Sequence, residues 1–373
     1  MNAPSSLIST SAEQSSPMTI HRDCKYFRGD LPCTPHKTYG VHCDICTHYT
    51  PQDKNILIIK LGAIGDVIRT TPLLHRLQKE YPTARIWWIT YSPEIVPSVV
   101  DKILPFTLAS LTTLHAIEFD TIINLDKDTE ACALLVNLKG KEKIGYTLRD
   151  GKPAPADDRA YHKYLTGLFD DVNKANTKSY VQEIFEICGW EFQGEEYIQD
   201  PPPIREWNIP HHGKKIIGLN TGCGGRWTSR LWAEERWEQF IHELTRAGYF
   251  PMLLGGEQED EKNRRLAERT GAYYAGYFSL RDFTSLMNEC DCIVTAVTMA
   301  MHLAMGLHKP LVLFVNIFNP HEFEMYGRGS IVQPANECHC FFKATCTHDA
   351  YQCMEHLHVD TVLTAVHNAL AQA

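Results

Sequence analysis

Short apolar runs, rich in β-branched and aliphatic residues, recur along the chain at Ile56–Lys60, Arg85–Thr90, Thr121–Asn124, Lys215–Asn220, Phe250–Leu254, Cys292–Thr295 and Leu311–Val315. Runs of this length with no polar alternation predict strands buried on both faces of a parallel sheet. Between them the apolar positions switch to helical spacing, over Thr70–Tyr81, Tyr161–Cys188, Trp232–Ala247, Glu259–Thr270 and Val359–Ala371. Lys143–Asp158, with its Gly, Pro and Asp residues, predicts a long loop over a site. Pro201-Pro202-Pro203 through His211-His212-Gly213 has the composition of a linker. Two βαβ halves around such a linker predict an α/β protein of two Rossmann-like lobes with a ligand cleft between them. The divisions expected are a tail over 1–20, a cysteine-rich module over 21–50, lobes over 51–205 and 206–355, and a terminal helix over 356–373.

One junction carries candidate chemistry. The first apolar run empties into Leu61-Gly62-Ala63-Ile64-Gly65-Asp66, and a helical pattern begins near Asp66 and continues through Leu73, Leu74 and Leu77. A strand, a glycine turn and a helix start place backbone N–H groups and one carboxylate at the carboxyl edge of a sheet, where open α/β sheets bind ligands. A chain reversal with Asp66 as a helix cap fits the same residues. The spacing is not Gly-x-Gly-x-x-Gly, so it gives a dinucleotide cofactor little support. A second glycine-rich loop, Thr221-Gly222-Cys223-Gly224-Gly225, follows the strand expected at Lys215–Asn220 and suits close backbone approach to a phosphate.

Composition narrows the class. The chain has 373 residues, 44% of them hydrophobic, and a formal net charge of −9, which argues against a nucleic-acid binder. No apolar run reaches membrane-spanning length, and the Ser/Thr-rich start lacks the pattern of a signal peptide. A cytoplasmic protein is expected, and there thirteen cysteines are not explained by disulfides.

Eight of these cysteines fall into two clusters. Cys24, Cys33, Cys43 and Cys46 have the spacing C-x8-C-x9-C-x2-C, with His21, His36, His42 and His48 close by. A module this short has almost no apolar core, so a metal is expected to hold it, structural zinc first and iron or an iron–sulfur centre as the alternative. Cys338, Cys340, Cys346 and Cys353, near His339 and His348, form a second candidate set, shared or separate.

Three stretches resemble glycosyltransferase family 9, the heptosyltransferases of lipopolysaccharide assembly. They are Ile58–Pro72 with Lys60, Gly65-Asp66-Val67 and Pro72; Gly218–Gly222 with Arg226–Trp232; and Asp291–Pro310 with His302-Leu303-Ala304 and Gly306. The resemblance implies the GT-B arrangement, with acceptor on the first lobe and nucleotide-sugar donor on the second. It also implies inverting transfer without a catalytic metal. By position Asp66 becomes the base, Gly62 and Gly65 shape the acceptor loop, and Thr221, Gly222, Gly224, Gly225, Arg230, Thr298 and His302 serve the donor. The partners implied are a nucleotide-diphosphate sugar and a saccharide or glycolipid acceptor met at the inner face of the membrane, with no nucleic acid. ADP-heptose as donor rests on the resemblance alone. The terminal helix of this fold type crosses back to the first lobe, which would let the two cysteine clusters meet.

The third stretch departs from the family. Val297 stands where the family has Asp, and Met299-Ala300 replace Gly-Pro, so a carboxylate toward the donor sugar is missing. Glu322 or Glu324, in the segment after the last strand, could supply it; a solvated loop is the alternative. A protein-modifying heptosyltransferase, its cysteine module recruiting the polypeptide, and a catalytically silent sugar-nucleotide binder are the competing functions.

Overall fold

The structure is a computed structural model that describes residues 18–336, 338–347 and 352–372. The expected tail lies almost wholly outside these residues, as does His348. The first lobe is built on β1 (Asn55–Ile59), β2 (Arg85–Thr90), β3 (Lys102–Pro105), β4 (Glu118–Asn124), β5 (Lys139–Arg149) and β6 (Lys152–Pro155), in the order β3-β2-β1-β4-β5-β6. The second uses β7 (Ile216–Asn220), β8 (Phe250–Leu254), β9 (Tyr273–Tyr274), β10 (Cys292–Ala296), β11 (Leu311–Phe314) and β12 (Gly329–Val332), in the order β9-β8-β7-β10-β11-β12. Both sheets therefore reverse direction beside their first strand, and among the described strands of the two sheets only the β5–β6 pair is antiparallel. The crevice at such a reversal, outside the strand ends, is where doubly wound sheets take ligands.

The apolar runs became central strands because both faces are covered. Ile56 and Ile58 point into one core and Leu57 and Ile59 into another, all at most 1% exposed. The core containing Ile56 continues through Met301, Leu303 and Met305 of the second lobe, so the lobes are packed together as well as linked.

Three expectations are corrected. Lys143–Asp158 is not a loop: β5 runs to Arg149, and Asp150-Gly151, with φ of 51° and 73°, turns it into β6. Consecutive positive φ values at an Asp-Gly pair are a two-residue hairpin signal. The Tyr161–Cys188 helix is three helices, Tyr161–Thr166, Asp170–Ala175 and Tyr180–Ile187, the last opened by a Ser179/Gln182 capping box. The terminal helix Val359–Gln372 does not cross to the first lobe. Val362, Val366 and Ala369 are buried with Val312 and Phe314 of the second.

Candidate active site

Asp66 lies in the first turn of a short helix, Ile64–Ile68, directly after β1. The loop before it is held from beneath by Asp126, which follows β4 and so stands at the sheet's reversal point. Its carboxylate accepts from the N–H groups of Leu61 and of Gly62 (2.8 Å) and pairs with the Lys60 ammonium. Lys60 and Asp126 are 4% and 6% exposed. Burial disfavours the Lys60 charge, but the acidic groups around it, Asp126 and Asp66 among them, keep it above its ordinary value. Gly62 therefore shapes the loop through its N–H. Gly65 has a different reason to be glycine: a Cβ there would lie 2.5 Å from the His302 ring of the opposite lobe.

His302 sits on the helix Met299–Gly306, whose N-cap Thr298 accepts from the Ala300 N–H. Burial and the Arg69 cation push the imidazole down to about 3, against the attraction of Asp66, so the ring is neutral at physiological pH. Its ring stacks on Tyr197, with Nδ1 3.4 Å from the phenol oxygen. His302 thus joins the lobes, and its tight packing against Gly65 fixes how close they come.

On the second lobe Asn220, at the end of β7, donates to Thr295 (2.9 Å) and Thr298 (3.3 Å), tying the phosphate-loop candidate to the helix cap. Gly222 and Gly224 line the cleft, the latter at φ +69°, and Gly222 is packed against the Glu259 side chain. Gly225 is not among the lining residues. Thr221 faces away: it is 2% exposed, its hydroxyl donates to Asn263 (2.6 Å), and its carbonyl accepts from Lys262 (2.8 Å). A donor contact through the Thr221 hydroxyl does not fit this placement.

Arg230 is 6% exposed and donates to the carbonyl of Cys223 (3.0 Å). Burial lowers it to about 10, partly offset by Cys223. Among the described residues it has no carboxylate partner. A buried guanidinium hydrogen-bonded to backbone carbonyls, with the Phe318 ring centre 5.5 Å away, keeps its charge available to an anion entering the cleft.

These groups share one cavity of about 880 Å³, lined from the first lobe by Gly65, Asp66 and Arg69 and from the second by Asn220, Gly222, Arg230, Thr298, His302 and Glu322. Gly255–Glu259 and Phe278, Leu280 and Phe283 line it too. Val297 and Met299 leave part of the wall apolar. Of the two carboxylates considered for the position vacated at Val297, Glu324 does not line the cavity and accepts from Tyr326 N–H. Glu322 does line it, but its Oε1 is 2.7 Å from Arg69 Nη1. Glu322 is therefore bonded across the lobes to Arg69.

Burial alone would raise the Asp66 carboxyl, but Arg69 (Nη2 to Oδ1, 2.7 Å) and Lys60 outweigh it and hold Asp66 at about 2. Arg69 and Asp126 were both missed as site residues from the sequence. For Arg69 a signal existed, because it stands three positions after Asp66 on a helix. For Asp126 there was none, since β4 meets β1 only in the sheet.

The cysteine clusters are resolved less favourably. Among the described residues, no three or more Cys, His, Asp or Glu side chains are gathered as for a metal ion. Cys24, Cys33, Cys43 and Cys46 are free thiols in a segment that docks at the amino edge of the first sheet through Lys25–Asp101 (3.3 Å). Cys338 hydrogen-bonds to Cys353, Cys340 lies 3.5 Å from Cys346, and the Cys340 N–H donates to Cys338 Sγ (3.4 Å), so the two thiol pairs adjoin. Asn316 connects this segment to the turn that carries Arg230, donating to Cys353 (3.4 Å) and to the Ser229 carbonyl (2.8 Å). The two clusters therefore lie against different edges of different sheets and do not meet.

Among curated proteins, the chain is 23% identical over 317 residues to the lipopolysaccharide heptosyltransferase 1 of Escherichia coli O18:K1:H7 (strain RS218 / NMEC), covering 76% of this chain and 92% of that protein. The fold matches a glycosyltransferase family 9 structure from Veillonella parvula with a TM-score of 0.64 at 17% identity, covering 86% of this chain and 98% of that one. It matches E. coli heptosyltransferase WaaC with ADP at 0.56 and 17%, covering 86% and 99%. The model of glycosyltransferase family 9 (heptosyltransferase) fits residues 108–352, a span that holds the glycine-rich loop Thr221–Gly225, Arg230 and the Thr298 cap. With the strand–glycine–aspartate turn facing them across one cavity, the chain belongs to glycosyltransferase family 9.

Proposed function

We propose that this protein transfers a heptose from ADP-heptose to a saccharide or lipid-linked saccharide acceptor, with inversion at the anomeric carbon. The observation that carries this reading is the placement of Asp66 and of Arg230 and Thr298 on opposite walls of one cavity, each at the reversal point of its own sheet. An acceptor hydroxyl against Asp66 attacks the anomeric carbon. The new bond is acceptor oxygen to C1, the bond broken is C1 to the β-phosphate oxygen, and the hydroxyl proton passes to Asp66. ADP leaves with the bonding pair, and its growing charge falls to Arg230 and to the backbone N–H groups at the Met299 helix start. Neutral His302 keeps one ring N–H but carries no positive charge to offer the leaving phosphate. Its role in this reading is to fix the distance between the lobes.

The apolar wall at Val297 and Met299 bears on the sugar end, so donor choice is the first thing to test. ADP-heptose at a hundredfold excess over its Kd is expected to stabilise the fold by about 2.7 kcal/mol, read as a rise in melting temperature. A stabilisation by UDP- or GDP-sugars with none from ADP-heptose removes the heptose reading.

In this reading the protein acts in the cytoplasm, at the membrane's inner face when it meets a lipid-linked acceptor. No described helix is long and apolar enough to cross a membrane. Structural zinc, with iron as the alternative, remains our reading for the two cysteine clusters, the Cys338–Cys353 segment having its thiols already in pairs. The thiol donor set suits either metal. Metal analysis of the purified chain is expected to find zinc or iron; substoichiometric amounts of both remove the structural-metal reading.

A further inference from the structure

Arg69 makes one guanidinium serve two carboxylates from different lobes. Nη2 is 2.7 Å from Asp66 Oδ1, and Nη1 is 2.7 Å from Glu322 Oε1. The group is stacked 3.6 Å from the centre of the Tyr180 ring and is largely buried. Among the described residues its Nε has no hydrogen-bond partner. A guanidinium beside a lone carboxylate ordinarily closes on both oxygens with two parallel bonds. Here Glu322 takes one arm, and the nearest contact to Asp66 is the other arm on Oδ1.

We propose that Glu322 is a positioning residue for the transfer reaction, which by engaging Arg69 across the closed lobes leaves Asp66 Oδ2 open to the acceptor hydroxyl. If the lobes separate, Nη1 loses Glu322 and Arg69 can close on both Asp66 oxygens, which covers the base. Closing the lobes then both brings donor to acceptor and uncovers the carboxylate. A lysine in place of Arg69 cannot do this, because a single ammonium has no two-armed geometry. The inference rests on Asp66 being the base.

The charged and titratable groups around Asp66 are Arg69 on its own helix, Lys60 at the end of β1, Asp128 after β4, Tyr180 and Tyr197, and His302 and Glu322 from the opposite lobe. With Arg69 removed, Lys60 and His302 are left to oppose the effect of burial, and the carboxyl rises.

The test measures ADP release from ADP-heptose with heptose-free lipopolysaccharide as acceptor, and ADP-heptose affinity by calorimetry. Glu322→Gln is expected to lower kcat by about tenfold or more with little change in affinity, because Arg69 then caps Asp66. In an Arg69→Met background the same change is expected to add nothing, and the acid limb of the pH profile moves upward. If Arg69→Met alone does not fold, its unpaired Glu322 is the cause, and Arg69→Met with Glu322→Gln, compared with Arg69→Lys, reads the coupling instead. An unchanged kcat in Glu322→Gln, or equal losses in both backgrounds, overturns the proposal. Asp66→Asn separates the two readings. Retained turnover there defeats the base assignment itself, whereas lost turnover beside an unaffected Glu322→Gln defeats only the role of Glu322.

Discussion

Asp66→Asn lowers kcat by about 10²–10⁴-fold, the range for removing a positioned general base, while ADP-heptose affinity stays close to that of the unaltered protein. The substitution keeps the side chain's size and its hydrogen bond to Arg69 but removes the atom that takes the proton. Single-turnover kinetics with saturating donor separates the chemical step from binding. The pH dependence follows from the same geometry. A base works in its ionised form, and Asp66 is held at about 2 by Arg69 and Lys60 against the effect of burial. Activity is therefore not lost through Asp66 until the pH falls toward that value, and an acid limb near neutrality belongs to another group. The stability contributed by the depressed Asp66 is complete above its ordinary pKa of 3.8, and is lost as pH falls from there through about 2. A turnover loss below about fivefold in Asp66→Asn is inconsistent with base catalysis at this position.

Asp126→Ala is expected to destabilise the fold by about 3–5 kcal/mol, because it strands the buried Lys60 charge. It also deprives the Leu61 and Gly62 N–H groups of their shared acceptor. A urea titration reads the effect as a lower midpoint at unchanged slope. The double variant Asp126→Ala with Lys60→Met is expected to recover much of the loss, since removing both charges leaves no unpaired ion. The turn itself stays unsupported in the double variant, so turnover is expected to remain impaired after stability returns. Equal destabilisation in the single and double variants would mean that the ion pair is not what Asp126 contributes.

The central strands were legible because each is a run of apolar residues buried on two faces, a pattern that survives without knowing what covers it. Ile56–Lys60 and Arg85–Thr90 were placed to within a residue for that reason. The β5–β6 hairpin was misread because its edge position leaves the strand rich in lysine, and the Asp150-Gly151 turn signal was taken for loop composition. Thr221 illustrates the limit at the site. A small polar residue after a strand fits phosphate binding equally well whether its hydroxyl points to the cleft or to Asn263, and only packing chooses.

By itself the sequence determined the two-lobed α/β class, the glycine–aspartate turn, and the family, since these depend on local periodicity and on motifs read within one segment. The tertiary structure decided what those motifs touch. Gly65 is glycine because His302 approaches it from the other lobe, and Asp126 supports a turn 64 residues away. Glu322 meets Arg69 across 253 residues of chain. Contacts between segments so far apart leave no periodicity in either one, so they become visible only when two sheets with the same strand order face each other.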